Sequence, residues 1–155
     1  YGIDSEKNMI NFANKKSKSK NKNIVYKHAN IVSEKLKKND LIISYYTIHF
    51  IEPRYRQKVF DKIYKSLNWG GGFFLFEKVR SPDARFQDMT TNLYNQFKLS
   101  KGFSIEEIHN KSESLKSVLE PFSTNANIQL MKRAGFKDIT SIFKHICFEG
   151  FLAIK

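Results

Sequence analysis

The sequence predicts an α/β fold, and three observations between residues 40 and 78 predict it. Residues 40–46 form a near-continuous apolar run of strand length, as in a parallel strand covered on both faces. Pro53 then opens a helical pattern, with apolar residues at Val59, Phe60, Ile63, Tyr64 and Leu67. The glycine-rich segment 68–72 should stop that helix in a tight turn, and residues 73–76 make the next strand. Together they form a βαβ unit, and ligands of such sheets bind just after the strands.

Weaker patterns place more elements before this unit. Ile3 ends a first strand, and Ser5 is the predicted N-cap of a helix whose inward face is Met9, Ile10, Phe12 and Ala13. A short strand at residues 24–26 and a brief charged helix at residues 33–38 follow. The lysine-rich run at residues 15–23 has no aromatic residue within it, so we interpret it as a solvated helix end and loop.

The segment from residue 79 to residue 124 predicts a helical insert that serves as a lid or a dimer surface. One helix begins near Asp83 and runs to about Leu99. Ser104 and Glu107 have the spacing of a capping box and predict the start of a second helix. A weaker apolar pattern continues that helix up to Pro121.

The end of the chain predicts one more helix and a hairpin. Thr124 is the expected N-cap of that helix, and Gly135 closes it. Residues 139–145 and 148–154 read as two antiparallel strands joined around Cys147. We therefore predict one domain over residues 1–155, with a mostly parallel sheet and a C-terminal antiparallel hairpin.

The composition is that of a globular chain with a strong basic excess. Its 155 residues are 41% hydrophobic and 27% charged, which is enough for one real core. The net charge of +12 makes RNA a partner hypothesis, although a lysine- and asparagine-rich chain also fits an AT-rich coding sequence. No apolar run approaches the roughly 20 residues of a membrane span. The single cysteine, Cys147, cannot form an internal disulfide, which indicates a reducing cytoplasm. Its apolar surroundings in the sequence predict an inert buried side chain.

Polar residues that follow the predicted strands are the candidate site. The Asp4 carboxylate could accept both hydrogen bonds of a ribose diol, or it could only cap the first helix. Asn30 and Ile31 could bind the edge and the face of an adenine, or form a simple loop. Ser44, Tyr45 and Tyr46 border a substrate or pack in the core. Glu77 is either a site residue or a paired rim charge, and the four histidines show no metal-ligand spacing.

Several strings carry a resemblance to one family. They are residues 1–4 (Tyr-Gly-Ile-Asp), 47–53 (Thr-Ile-His-Phe-Ile-Glu-Pro), 56–57, 61–64, 67–71, 77–78, 88–98 and 134–136. The chain resembles carboxy-S-adenosylmethionine synthases, within the class I S-adenosylmethionine-dependent methyltransferases. The resemblance implies a Rossmann-like sheet, S-adenosylmethionine or its carboxylated form as the cofactor, and prephenate as the carboxyl donor. It also implies a role in 5-oxyacetyluridine formation at the tRNA wobble position, a cytoplasmic location and a homodimer, without direct tRNA contact being required.

The resemblance assigns cofactor-binding roles and also shows departures from the family pattern. Asp4 matches the ribose-binding acid, while Ser5, Asn30 before Ile31, and Tyr45 stand where the family has Asn, Asp and Asn. The arginine that clamps the added carboxylate falls at Ser112, and the neighbouring Lys111 is a poorer geometric substitute. An ordinary methyltransferase and a non-catalytic domain of the same fold therefore stay open as alternatives.

The beginning of the chain carries one more expectation. The first residue is Tyr1, and residues 1–4 look like the end of a strand. We expect an N-terminal truncation that removes the first strand and its glycine-rich turn, so that these residues alone bind the cofactor weakly.

Overall fold

The computed structural model describes residues 1–17 and 23–155, which form two compact units, residues 1–37 and 38–155. The first unit holds β1 (Gly2–Asp4), α1 (Lys7–Ser17) and β2 (Tyr26–His28). The second unit holds β3 (Asn39–Tyr45), α2 (Pro53–Ser66), β4 (Leu67–Lys78), α3 (Ala84–Ser100), α4 (Ile105–Ser114), α5 (Thr124–Ala134), β5 (Asp138–His145) and β6 (Phe148–Ile154). Part of the lysine-rich run, residues 18–22, lies outside the described residues.

In the first unit β1 and β2 pair in parallel, with Asp4 opposite His28. The predicted N-cap at Ser5 is wrong, because α1 begins at Lys7 and the Glu6 carboxylate accepts the Asn8 N–H at 3.2 Å. Of the predicted inward face only Ile10 is buried. The predicted helix at residues 33–38 is also wrong, since a turn at residues 31–33 leads into irregular chain.

The second unit is built on a four-stranded sheet in the order β3-β4-β6-β5. β3 and β4 are parallel, and β6 is antiparallel to both β4 and β5. Three strands therefore run in one direction and β6 alone runs in the other. This confirms the βαβ unit, the mostly parallel direction of the strands and the closing hairpin, which turns through Ile146 (φ 52°) and Cys147.

The glycine-rich segment differs from its prediction. α2 ends at Ser66, and residues 68–72 belong to β4 rather than to a helix stop. The strand bulges there, because Asn39 pairs with Leu67 but Leu41 pairs with Gly72. A Cβ at Gly71 would lie 2.9 Å from the Asn68 carbonyl oxygen, so the bulge needs glycine at this position.

The core lies where α2 and α5 pack together and α2 covers β4. Its fully buried residues include Val59, Phe60, Ile63, Phe73, Leu75, Met131, Phe136, Phe151 and Ala153. Phe73 is central, since its ring contacts Phe60 edge-to-face and stacks on Phe136, with centroids 5.8 Å apart in each case. This apolar layer packs the helices α2 and α5 against the sheet.

The helical insert begins where the sequence predicts. Asp83 caps α3 by accepting the Phe86 N–H at 3.0 Å, and Ser104 and Glu107 form a capping box at α4. α4 ends at Ser114, short of the predicted extension to Pro121. The last helix is capped by Ser123, one residue before the predicted Thr124. In the described parts of the chain, no helix has the length and apolar content that crossing a membrane requires.

Candidate functional site at the carboxyl ends of the strands

Asp4 and Asn30 share one edge of the first unit. Asp4 is the last residue of β1, and its carbonyl oxygen accepts the Ala29 N–H at 2.9 Å directly after the parallel strand β2. Asn30 is the next residue, so both candidates follow neighbouring parallel strands at their carboxyl ends. The Ser5 carbonyl oxygen contacts His28 Nε2 at 3.0 Å, which ties the two strand ends together.

Both side chains keep free hydrogen-bonding atoms. Asp4 Oδ1 accepts the Glu6 N–H at 2.8 Å, while Oδ2 has no partner among the described residues. Asn30 Oδ1 accepts the Val32 N–H at 2.8 Å, and its Nδ2 group has no hydrogen-bond partner within residues 1–17 and 23–155. The helix-end role and the ligand role of Asp4 are therefore compatible, because each uses a different oxygen.

In the second unit, Tyr45 ends β3 with a ring that is 66% exposed. That ring contacts Tyr46 edge-to-face at 4.5 Å and Phe76 at 5.6 Å. Tyr46 has a positive φ of 53°, and burial raises the pKa of its phenol. The Ser44 hydroxyl is buried and finds no partner in the described chain. Tyr45 is therefore open to a ligand, whereas its two neighbours are partly enclosed.

Glu77 is buried and holds the loop that follows β3. Its side chain is 1% exposed and accepts the Ile48 N–H at 3.0 Å and the His49 N–H at 2.8 Å. The His49 ring adds a third contact, with Nδ1 at 2.6 Å from Glu77 Oε2. The carboxylate is thus paired, as one of the two sequence hypotheses held, but in the interior rather than at the rim.

Arg56 completes this buried network. Its Nε donates to the Ile51 carbonyl oxygen at 2.7 Å and its Nη2 donates to the His49 carbonyl oxygen at 3.2 Å. The guanidinium lies 4.2 Å from the Phe122 ring centroid, and burial lowers the pKa of Arg56 while the charge of Glu77 opposes that shift. The segment after β3 is therefore held in place by buried side chains of β4 and α2.

The carboxylate-binding candidates Lys111 and Ser112 lie in the last turns of α4. Both are exposed. Among the described residues, the hydrogen bonds of this turn are local: the Ser112 carbonyl oxygen accepts the Leu115 N–H at 3.2 Å, and the Lys111 carbonyl oxygen accepts the Ser114 hydroxyl at 2.9 Å. Nothing in the structure joins this pair to Tyr45, and its role stays a prediction.

Sequence reasoning missed one cluster of side chains. Lys78, the last residue of β4, and Lys98 on α3 both lie over the ring of Tyr94. The position of Lys78 directly after a strand could have signalled it. Lys98 carries no such signal, because only the folding of α3 brings it there.

Comparison with known proteins identifies the family. A profile described as a methyltransferase domain matches residues 1–71. The chain is 36% identical over 154 residues to a carboxy-S-adenosyl-L-methionine synthase of Campylobacter lari, and 37% identical over 155 residues to one of Campylobacter jejuni subsp. jejuni. The chain belongs to the carboxy-S-adenosylmethionine synthase family. These alignments cover 99% and 100% of this chain and 66% of each relative, so a carboxy-S-adenosylmethionine synthase is about half as long again as the chain.

Solved structures agree at the level of the fold. Human N-acetylserotonin methyltransferase in complex with SAM superposes with a TM-score of 0.64 at 17% identity, covering 99% of this chain and 39% of that protein. A SAM-dependent methyltransferase from Thermotoga maritima superposes with a TM-score of 0.63, also at 17% identity, covering 99% of this chain and 72% of its own. The Rossmann-like class I methyltransferase fold predicted for the synthase family is confirmed.

Proposed function

We propose that this chain acts in a transferase that moves a prephenate-derived carboxyl group onto S-adenosylmethionine. The product would serve tRNA wobble-uridine modification in the cytoplasm. One observation carries the proposal: the 36–37% identity to carboxy-S-adenosylmethionine synthases extends over nearly every residue of the chain. Because the proposed product is a small molecule, the net charge of +12 does not require direct contact with RNA.

The free atoms of the first unit suit the nucleoside part of the cofactor. Asp4 Oδ2 can accept a ribose hydroxyl, and Oδ1 retains a second lone pair beside its bond to Glu6. Asn30 offers Nδ2 donors, so it would pair with a ring nitrogen of adenine rather than with the exocyclic amine. Ile31 would cover the adenine face, and Ser5 and Tyr45 take the remaining cofactor-binding positions by resemblance. The cofactor would supply the sulfonium group, and these residues would hold and orient it.

Two departures favour a second candidate, an ordinary S-adenosylmethionine-dependent methyltransferase. Ser112 cannot form the bidentate carboxylate contact that an arginine makes, and exposed Lys111 offers only a point charge. Tyr45 places a phenol ring where the family pattern has an amide. A non-catalytic domain that retains the fold is the third candidate.

Mass spectrometry of the ligand that co-purifies with the intact gene product separates the three candidates. Carboxylated S-adenosylmethionine supports the proposal, and plain S-adenosylmethionine supports the methyltransferase. A protein that carries neither, and binds neither when both are supplied, is the non-catalytic domain. The variant Ser112→Arg refines the test, since added carboxylated product would identify the missing clamp, with Ser114→Arg in the same exposed turn as the control.

We further propose that the intact protein forms a homodimer through α3. In the described chain this helix buries none of its residues, and it exposes Phe86, Met89 and Leu93 by 54%, 61% and 56%. Light scattering should report a dimer for the parent protein and a monomer for Leu93→Lys, whereas Asn92→Lys beside it should remain dimeric. A monomeric parent would contradict this proposal without affecting the proposed activity.

A further inference from the structure

Two half-buried lysines share one aromatic ring without an anionic partner. Lys78 Nζ lies 5.3 Å and Lys98 Nζ lies 4.6 Å from the centroid of the Tyr94 ring. Within residues 1–17 and 23–155, neither ammonium group forms an ion pair. Burial, followed by the charge of Lys78, lowers the pKa of Lys98. The two ammonium groups repel one another, and an anion bound between them would relieve that repulsion.

The cluster stands at the carboxyl ends of β3 and β4, where ligands of open α/β sheets bind. Lys78 ends β4 and pairs across the sheet with Phe148. The Phe148 ring contacts Tyr94 edge-to-face at 5.3 Å and Tyr46, which follows β3, at 5.4 Å. The two cations are therefore bordered by three aromatic rings, all of them only partly buried.

We propose that Lys78 and Lys98 bind the carboxylates of a small dianionic organic substrate whose carbon frame packs against Tyr46, Tyr94 and Phe148. This inference rests on the proposed function, and it assigns the binding of the second substrate to two residues of the matching strings for which the resemblance implied no binding role. It also explains how carboxylates could bind although Ser112 replaces the arginine of the family pattern, because two ammonium groups from β4 and α3 can neutralise them. A small anion fits better than a nucleic-acid backbone, because the cations are partly enclosed by rings instead of lining an open groove.

The test compares Lys98→Met and Lys78→Met with the control Lys101→Met in the intact protein. Lys101 is exposed and makes the same kind of cation–ring contact, 5.5 Å from the Phe97 centroid, outside the cluster. By titration calorimetry with prephenate as the probe, each cluster variant should bind about tenfold more weakly or worse, as loss of a charge-assisted contact predicts. The control should bind like the parent, and S-adenosylmethionine affinity should be unchanged in all three. Both cluster variants are expected to fold, because each relieves the repulsion between the two ammonium groups and breaks no ion pair of the described residues.

A second measurement follows the pKa of Lys98 and does not depend on enzymatic activity. In protein with ¹³C-labelled lysine, the pKa of Lys98 should rise when prephenate or malonate is added, and it should also rise in Lys78→Met. A lysine with a purely structural role would not respond to the ligand. Tighter binding of inorganic phosphate than of either carboxylate would overturn the inference.

The two proposals fail in different ways. If the parent forms carboxylated product and Lys98→Met keeps the parental KM for prephenate, the inference is wrong and the proposed function stands. If no carboxylated product forms but malonate still binds through Lys98, the proposed function is wrong and the anion site stands. If the parent binds neither prephenate nor malonate, the inference is wrong whatever the reaction.

Discussion

The substitution Glu77→Gln tests whether the buried carboxylate holds the loop after β3. Oε2 makes two of the three contacts, to the His49 N–H and to His49 Nδ1, and Oε1 makes the third, to the Ile48 N–H. A glutamine keeps the most of these contacts, two of the three, when its carbonyl oxygen takes the Oε2 position. Its NH₂ group then faces the Ile48 N–H, which leaves two donors opposed in the interior.

The expected cost follows from that geometry. One charge-assisted hydrogen bond is lost outright, at about 1.5–3 kcal/mol, and the two retained contacts become neutral ones. We therefore expect Glu77→Gln to lower the free energy of unfolding by about 2–4 kcal/mol. Since domains are stable by only about 5–15 kcal/mol, this is a large fraction of the total.

Urea unfolding gives the overall loss, and amide hydrogen exchange at Ile48 and His49 shows whether it is local. The control is Glu52→Gln, since Glu52 is exposed and pairs only with exposed Arg54, and it should change stability by no more than about 0.5 kcal/mol. A Glu77→Gln loss as small as the control, with exchange protection intact at both amides, would refute the reasoning.

Three further predictions follow from single positions. Gly135→Ala should cost roughly 1 kcal/mol or more beyond Gly102→Ala, measured by thermal unfolding, because both have positive φ but only at Gly135 would a Cβ meet a ring, 2.7 Å from Tyr64. Burial raises the pKa of the Cys147 thiol, so alkylation at pH 8 should be slow in the native protein and fast in urea. The free energy of unfolding should fall as the pH rises past the ordinary thiol pKa, because the folded state holds that proton more tightly than the unfolded state does. In the intact protein, Asp4→Asn should weaken S-adenosylmethionine binding at least about tenfold by calorimetry, while Asp88→Asn on α3 should not.

Some local signals predicted the structure correctly, although the predicted caps at Ser5 and Thr124 and the helix at residues 33–38 were wrong. Contacts between distant residues were not predicted. The capping box at Ser104 and the left-handed Gly135 each depend on a few neighbouring residues, so their patterns predict them. The bulge at Gly71 depends on the carbonyl oxygen of Asp40, about thirty residues earlier in the chain, and no local pattern encodes that approach. The burial of Glu77 likewise depends on a loop that closes over it from the end of β3.

The residues that carry the family resemblance divide into two physical groups. Some residues of the matching strings are buried or paired. Arg56 and Glu77 anchor the loop after β3, and Gln57 joins two helices by donating to the Leu130 carbonyl oxygen at 3.2 Å and accepting from Arg133 at 2.8 Å. A change at Arg56 or Glu77 would leave a polar atom unsatisfied in the interior, and a change at Gln57 would break a partly buried link between α2 and α5.

The departures, by contrast, lie at exposed positions: Asn30, Tyr45 and Ser112. Substitution there costs little stability, so these positions are free to vary with the ligand. Resemblance in the interior therefore supports the fold, whereas the proposed differences in ligand would arise at these exposed positions. Lys78 and Lys98 differ from both groups, because they lie in matching strings, are half-buried and form no ion pair within the described residues, which is why we propose that they bind a ligand.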